Sequence, residues 1–244
     1  MRIPYIVLAG AALVAMQANA ATVIIDSFTT TQSVTISGGS SPPNTTADTG
    51  VVTGAASAGG ARNIMLTRTF GTGTDQSKVN SGAAPNPDIL EFSVAANDLV
   101  NLLVLYDGGT DNVNSQGLNL NLQIAGSNPR FEFLSRSDLA GTVTLTIYSG
   151  TGNASASFNL PALGFGATPF TLSSIPYASF AGVNFANVKA ITLGIQGSSG
   201  LDAQLDILQA KTDDAPPGIP EPATLALTGA GIGALYLKRR RGLI

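Results

Sequence analysis

Residues 142–148 read Thr-Val-Thr-Leu-Thr-Ile-Tyr. Side chains alternate across an extended chain with period two, so Val143, Leu145 and Ile147 fall on one side and the threonines on the other. β-Branched residues at most of these positions favour the extended form. The stretch predicts a half-buried strand, and therefore a sheet with one packed face and one hydroxyl-bearing face in water.

The same period recurs on either side. Leu118, Leu120, Leu122 and Ile124 alternate with Asn119, Asn121 and Gln123, and Leu201, Ala203, Leu205 and Ile207 share one side of a closing strand. Asn101 to Tyr106 is almost wholly apolar, the pattern of a central strand buried on both faces. Further strands are predicted over 22–28, 34–36, 64–70, 89–94, 130–134, 154–160 and 189–196. Stretches 37–60 and 71–88 read as loops, the first with Val51-Val52 as a brief strand, and 172–186 as a short helical turn after Pro176. Strands this short, with turn residues every eight to twelve positions, predict an all-β fold, a two-sheet antiparallel sandwich.

Composition removes several kinds of chemistry. The 244 residues include no cysteine, histidine or tryptophan. Disulfides, thiolate nucleophiles, Ser-His systems and the commonest zinc ligands are therefore excluded. Basic residues between the two ends (Arg62, Arg68, Lys78, Arg130, Arg136, Lys189, Lys211) are scattered and outnumbered by acidic ones, which argues against a nucleic-acid partner.

The two ends are of a different kind. Arg2, an apolar run over 6–16 and Ala18-Asn19-Ala20 read as a secretory signal peptide, 1–20, cut after Ala20. An ectodomain over 21–212 and a stiff Asp/Pro linker over 213–219 follow. Then come Pro220-Glu221-Pro222, an apolar run over 223–237 and Lys238-Arg239-Arg240-Arg241, with the basic end closing at 244. The run is about 22 Å long as a helix, against about 30 Å of bilayer hydrocarbon, which makes it a marginal membrane span. The basic cluster keeps the end cytoplasmic.

This three-part order resembles the PEP-CTERM sorting signal of exported bacterial proteins. The resemblance implies a chain handled by the Sec translocon and signal peptidase, held transiently in the inner membrane and cut near Pro220 to Pro222 by an exosortase-like enzyme. It also implies delivery to the cell surface or extracellular matrix of a Gram-negative bacterium that makes extracellular polysaccharide. Pro220, Glu221 and Pro222 would supply recognition, 223–237 the membrane stop, and Lys238, Arg239, Arg240 and Arg241 the orientation. A second resemblance covers most of the ectodomain. Phe180, Phe185 and Val188-Lys189-Ala190-Ile191, followed by Leu201-Asp202-Ala203-Gln204-Leu205-Asp206-Ile207, look like the end of a galactose-binding-like jelly roll.

Chemistry has few places to sit. Asp107, Asp111 and Asn112, in a glycine-containing turn after a strand, are candidate oxygen ligands for calcium, or else an ordinary polar turn. Tyr106 and Tyr148, at strand ends, are candidates for stacking on sugar rings at a rim. Phe131, Phe133, Phe158 and Phe165 are assigned to the core, and Glu91 and Glu132 to outward positions. Asp202 and Asp206, four apart on one strand, lie about 13 Å from each other and form no tight dyad. No residue is assigned a catalytic role. The expectation is a non-enzymatic surface or matrix protein without a cofactor, structural or adhesive, with an exopolysaccharide-binding module as the alternative and a carboxylate-dependent glycan enzyme as a remote one.

Overall fold

A computed structural model describes residues 20–39, 45–55, 57–79, 88–109, 117–150, 152–164 and 169–213. Among them the chain forms β1 (Thr22–Asp26), β2 (Gln32–Ile36), β3 (Thr45–Asp48), β4 (Val52–Thr53), β5 (Ala61–Phe70), β6 (Asp75–Val79) and β7 (Ile89–Ser93). The second half adds β8 (Leu99–Tyr106), β9 (Arg130–Ser137), β10 (Gly141–Ser149), β11 (Gly152–Leu160), β12 (Thr171–Pro176), β13 (Val188–Gly197) and β14 (Asp202–Lys211). Two seven-stranded sheets result. Sheet I runs β12-β9-β14-β7-β6-β2, with β1 also on β14; sheet II runs β11-β10-β13-β8-β5-β3, with β4 on β5. The ladders are antiparallel throughout. The fold is the all-β, two-sheet antiparallel sandwich of jelly-roll type. No helix of the described residues is long and apolar enough to cross a membrane. Ala18, Pro220, Glu221, Pro222, the run 223–237 and Lys238 to Arg241 lie outside the described residues, while Ala20 is exposed at their start.

The period read from 142–148 builds the core. Val143, Leu145 and Ile147 of β10 are fully buried, as are Leu102 and Val104 of β8 and Leu193 and Ile195 of β13. They join Phe131 and Phe133 of β9 and Leu205 and Leu208 of β14 in one cluster between the sheets. Complete burial of each such side chain contributes about 1.5–3 kcal/mol. The two ends of the sandwich's chain are tied together. Thr212 N–H donates to the Ala21 carbonyl (3.0 Å), and Ala21 N–H donates to Thr212 Oγ1 (3.2 Å).

Four expectations need correction. Ile207 does not continue the inward row of Leu201, Ala203 and Leu205: it sits at φ +44° in a bulge, and the inward side passes to Leu208 and Ala210. A β-branched residue in that conformation costs of order 1–3 kcal/mol. Leu118 to Ile124 is not a regular strand. Asn119, at φ +49°, turns the backbone, and the segment meets the start of β13 through Leu118 and Leu120 and the Phe185 carbonyl just before it through Leu122, with only one isolated bridge, Leu120 to Val188. Three strands lie in supposed loops or turns: β3 within 37–60, β6 within 71–88, and β12 ahead of the 3₁₀ turn Tyr177–Ser179. Finally, β8 is central to sheet II but not buried on both faces, since Asn101 and Leu103 on its outer side are only half-buried.

Two arginines of β5 cross the interior from sheet II to sheet I. Arg62 is fully buried; it donates to Asp26 Oδ2 of β1 (2.7 Å), to Gln32 Oε1 of β2 (2.8 Å) and to the Thr30 carbonyl (2.6 Å). Tyr106 Oη donates to the same Asp26 oxygen (2.9 Å), and Phe28 N–H to the other (2.8 Å). Burial pushes the Asp26 carboxyl above the usual carboxylate range, although Arg62, Phe28 N–H and Tyr106 pull it down. Six residues on, Arg68 donates to Asp75 Oδ2 of β6 (2.6 Å) and stands 3.3 Å from Asp98 Oδ2. Asp98 in turn accepts from Thr72 and Gly73 N–H. Gly71 is required there: at φ +97°, an added Cβ would lie 1.9 Å from Asp98 Oδ1. Buried pairs of this kind are costly to break from one side because the remaining charge is stranded.

Candidate functional site

The outer face of sheet II follows from the same alternation. The register sets its outward side chains in rows: Ser157, Thr144, Gly194, Leu103 and Met65 in one, Asn159, Thr142, Gln196, Asn101 and Thr67 in the next. Along these rows a shallow groove of about 360 Å³ crosses β5, β8, β13 and β10. Gly194 makes its low point. A Cβ added there would meet nothing nearer than the Leu102 and Thr144 carbonyl oxygens at 3.8 Å. Glycine inside a strand often marks a place where something else approaches the backbone closely.

Leu103 and Met65 supply an apolar floor; Thr67, Asn101, Thr142, Thr144 and Gln196 supply donors and acceptors around it, and no charged residue lines the groove. Toward the β11 edge the hydroxyls bond in cross-strand pairs, Thr144 to Ser157 and Thr146 to Ser155, each at 2.8 Å. Such a surface can take a neutral, hydroxyl-rich chain by hydrogen bonds over an apolar strip.

The outer face of sheet I is built by the same period from charged residues. Glu132 accepts from Arg130 Nε (2.8 Å) and Gln209 Nε2 (3.1 Å), and Lys211 stands 3.4 Å away. Burial works against ionisation of Glu132, but Gln209, Arg130 and Lys211 together hold its carboxyl below the usual range. Glu91 accepts from Gln204 (3.0 Å), and the Arg136 guanidinium lies 4.6 Å from the centre of the Phe170 ring. Burial first, and the nearby Asp88 second, push the Asp206 carboxyl up.

The tyrosine candidates do not share a face. Tyr106 is fully buried with its hydroxyl on Asp26, so it offers no ring to a sugar; Val100, Leu102 and Val104 already set its side of β8 inward. Tyr148 lies on the outer side of β10, half-buried, opposite Asn153. Asp107 is buried and accepts from Gly109 N–H (3.2 Å), the local bond of a polar turn, while Asp111 and Asn112 lie outside the described residues. Among the described residues no three carboxylates gather to hold a metal. Phe131 and Phe133 are core, Phe158 is half-buried, and Phe165 lies outside the described residues.

A second cavity, of about 280 Å³, is walled by Tyr177 and Phe185, with Gln123 and Asn184 among its polar residues. The two rings stack on each other at 3.9 Å, and Tyr177 Oη donates to the Leu122 carbonyl. Each ring therefore covers one face of the other.

No protein-family model matches the chain, and no curated protein matches it in sequence. Solved structures do resemble it. A family 61 carbohydrate-binding module, TmCBM61, solved with β-1,4-galactotriose, is 10% identical over 60% of this chain and 80% of its own, with a TM-score of 0.35. The family 30 carbohydrate-binding module of a Clostridium thermocellum cellulosomal cellulase is 9% identical over 56% and 82%, with a TM-score of 0.39. A family 11 carbohydrate-binding module of another cellulosomal cellulase from that organism is 11% identical over 78% and 94%, with a TM-score of 0.35. No residue role is carried over from any of them.

Proposed function

We propose that this chain is an exported cell-surface or matrix protein, sorted and processed at its C-terminal tail by an exosortase-like membrane enzyme, and structural or adhesive where it is delivered. The observation that carries the reading is the order of Pro220-Glu221-Pro222, an apolar run and Lys238-Arg239-Arg240-Arg241 behind a secretory leader. The acting residues of the processing step belong to the enzyme, and this chain is its substrate. In a host with the processing system, mass spectrometry of the mature protein should show a C-terminus near Pro220 to Pro222, and deletion of that tripeptide should leave the tail attached. An intact tail on both proteins overturns the reading.

A second reading, binding of extracellular polysaccharide, is favoured by the uncharged groove over Gly194. Electrophoresis through gels containing neutral or anionic polysaccharide, with and without calcium, tests it. The full chain should be retarded by a neutral polymer, and Gly194→Val should migrate as in a blank gel because its side chain fills the low point of the groove. A calcium requirement would point to the loop that begins at Asp107. Equal retardation of wild type and Gly194→Val removes the groove as the binding surface.

A further inference from the structure

The free edge of sheet II is unlike the other sheet edges. β11 has nine residues, pairs among the described residues only with β10, and keeps that pairing from Gly152 to Leu160 without a register shift. Its sequence, Gly-Asn-Ala-Ser-Ala-Ser-Phe-Asn-Leu, contains no charge and no proline. Every second residue of such an edge turns its N–H and C=O away from the sheet, and an edge that is long, flat and uncharged is a template for another strand. The opposite edge of sheet II is short, four residues in β3, and carries Asp48; of the edges of sheet I, β2 has only five residues and β12 ends on Pro176. Charge, shortness and proline are the usual protections of an edge. β11 has none of them.

The side chains say which strand fits. On the outer face β11 presents Asn153, Ser155, Ser157 and Asn159, a series that reads the same from either end about Ala156. We infer that β11 pairs antiparallel with β11 of a second copy of this chain, about a two-fold axis at Ala156, joining two copies of sheet II into one continuous sheet. That register sets Ser155 opposite Ser157 of the second copy and Asn153 opposite Asn159. The Thr146–Ser155 pair then continues through the seam into Ser157–Thr144 of the second copy, as one row of four hydroxyls. On the inner side Ala154 meets Phe158, and Ala156 meets itself; these half-buried residues already pack on the core and would be covered further. A closed two-fold pairing of this kind uses up the edge in both copies and ends there. The inference is independent of how the tail is processed and of whether the groove binds polysaccharide.

The natural absence of cysteine makes the test direct. In the full chain in mild detergent, Ala156→Cys places two thiols opposite each other at the axis. Antiparallel partners there have Cα atoms about 4.5–5.5 Å apart, within disulfide range. Gln196→Cys, exposed on β13 in the middle of the sheet, is the control for collisions and for association through the apolar tail. Under mild oxidation Ala156→Cys should give a covalent dimer at least about tenfold faster than Gln196→Cys. Equal rates overturn the inference. Ser155→Lys with Ser157→Lys, both at exposed positions, sets like charges across the seam and should weaken self-association about tenfold while the circular dichroism spectrum of the fold is retained. Association unaffected by the two lysines overturns it equally.

Discussion

The two outer faces of this sandwich are made by one alternation and differ in almost everything else. On sheet I the outward positions carry Arg130, Glu132, Arg136, Glu91, Gln204 and Lys211, bound to one another along β9 and across neighbouring strands. On sheet II they carry threonine, serine, asparagine and glutamine around Leu103 and Met65. Ion pairs at a protein surface contribute little stability but keep a face hydrated and repel unmatched partners. A neutral face of hydroxyls gives up its water more easily to another hydroxyl-rich surface. The difference lies in composition, since strand parity sends both sets outward, and the groove and the β11 edge lie on the same neutral sheet.

The largest effect on that contrast should come from the interior that holds the faces apart. Arg62→Ala strands Asp26 and should cost about 3–5 kcal/mol in urea unfolding, whereas Arg62→Met with Asp26→Leu should recover only part of it, because Tyr106 Oη and Phe28 N–H lose their acceptor. A small loss in the single variant would mean that the sheets do not depend on this bridge for their mutual position. Next in size is Gly194→Val on the neutral face. An interior strand glycine costs about 0.5–1 kcal/mol, so this variant should gain stability of that order while the groove closes; a loss would show that the site is less open than its 3.8 Å clearances imply.

Acid should act on one face only. Glu132 sits below its ordinary pKa, so its contribution is fully present above the unfolded-state value and is lost as pH falls through the folded-state value. Asp26 has the opposite sign: its raised value means that its contribution falls as pH rises through the window above the ordinary carboxylate range. Melting temperatures measured from pH 7 down to pH 3 should therefore decline less steeply for Glu132→Gln than for wild type. Parallel curves would show that the cluster around Glu132 is not what titrates. The smallest effect is expected from Lys211→Met, under about 1 kcal/mol and absent in high salt, because that pair is partly exposed.

Much of the fold could be read in the sequence because burial imposes a period of two. Val143, Leu145 and Ile147 show it without interruption, and their strand lies where the alternation puts it. Reading failed where the backbone leaves the period. Nothing in Leu205-Asp206-Ile207-Leu208 announces a bulge, and Asn119 hides a left-handed turn inside a regular alternation. β6 and β12 were missed because Asp75-Gln76-Ser77-Lys78 and Ser173-Ser174 are polar on both sides, the inward Asp75 and Ser77 being satisfied by Arg68 and by the Glu91 carbonyl. The groove had a legible signal, Gly194 in the middle of an apolar strand. Tyr106 ends a strand, which suggests a rim, but the alternation of Val100, Leu102 and Val104 sends it inward. Arg62 and Arg68 could not have been placed from sequence, since their partners lie on other strands as far as 36 residues away.

The knot between Ala21 and Thr212 has a mechanical consequence. Any load applied beyond residue 213 enters the molecule along β14, which is flanked by β9 on one side and by β7 and β1 on the other. A pull along that strand strains all of these ladders at once, in shear, instead of opening their bonds one after another. The last strand of the described residues is thus held by three partners within sheet I, so that a pull on it would be resisted by all three ladders together.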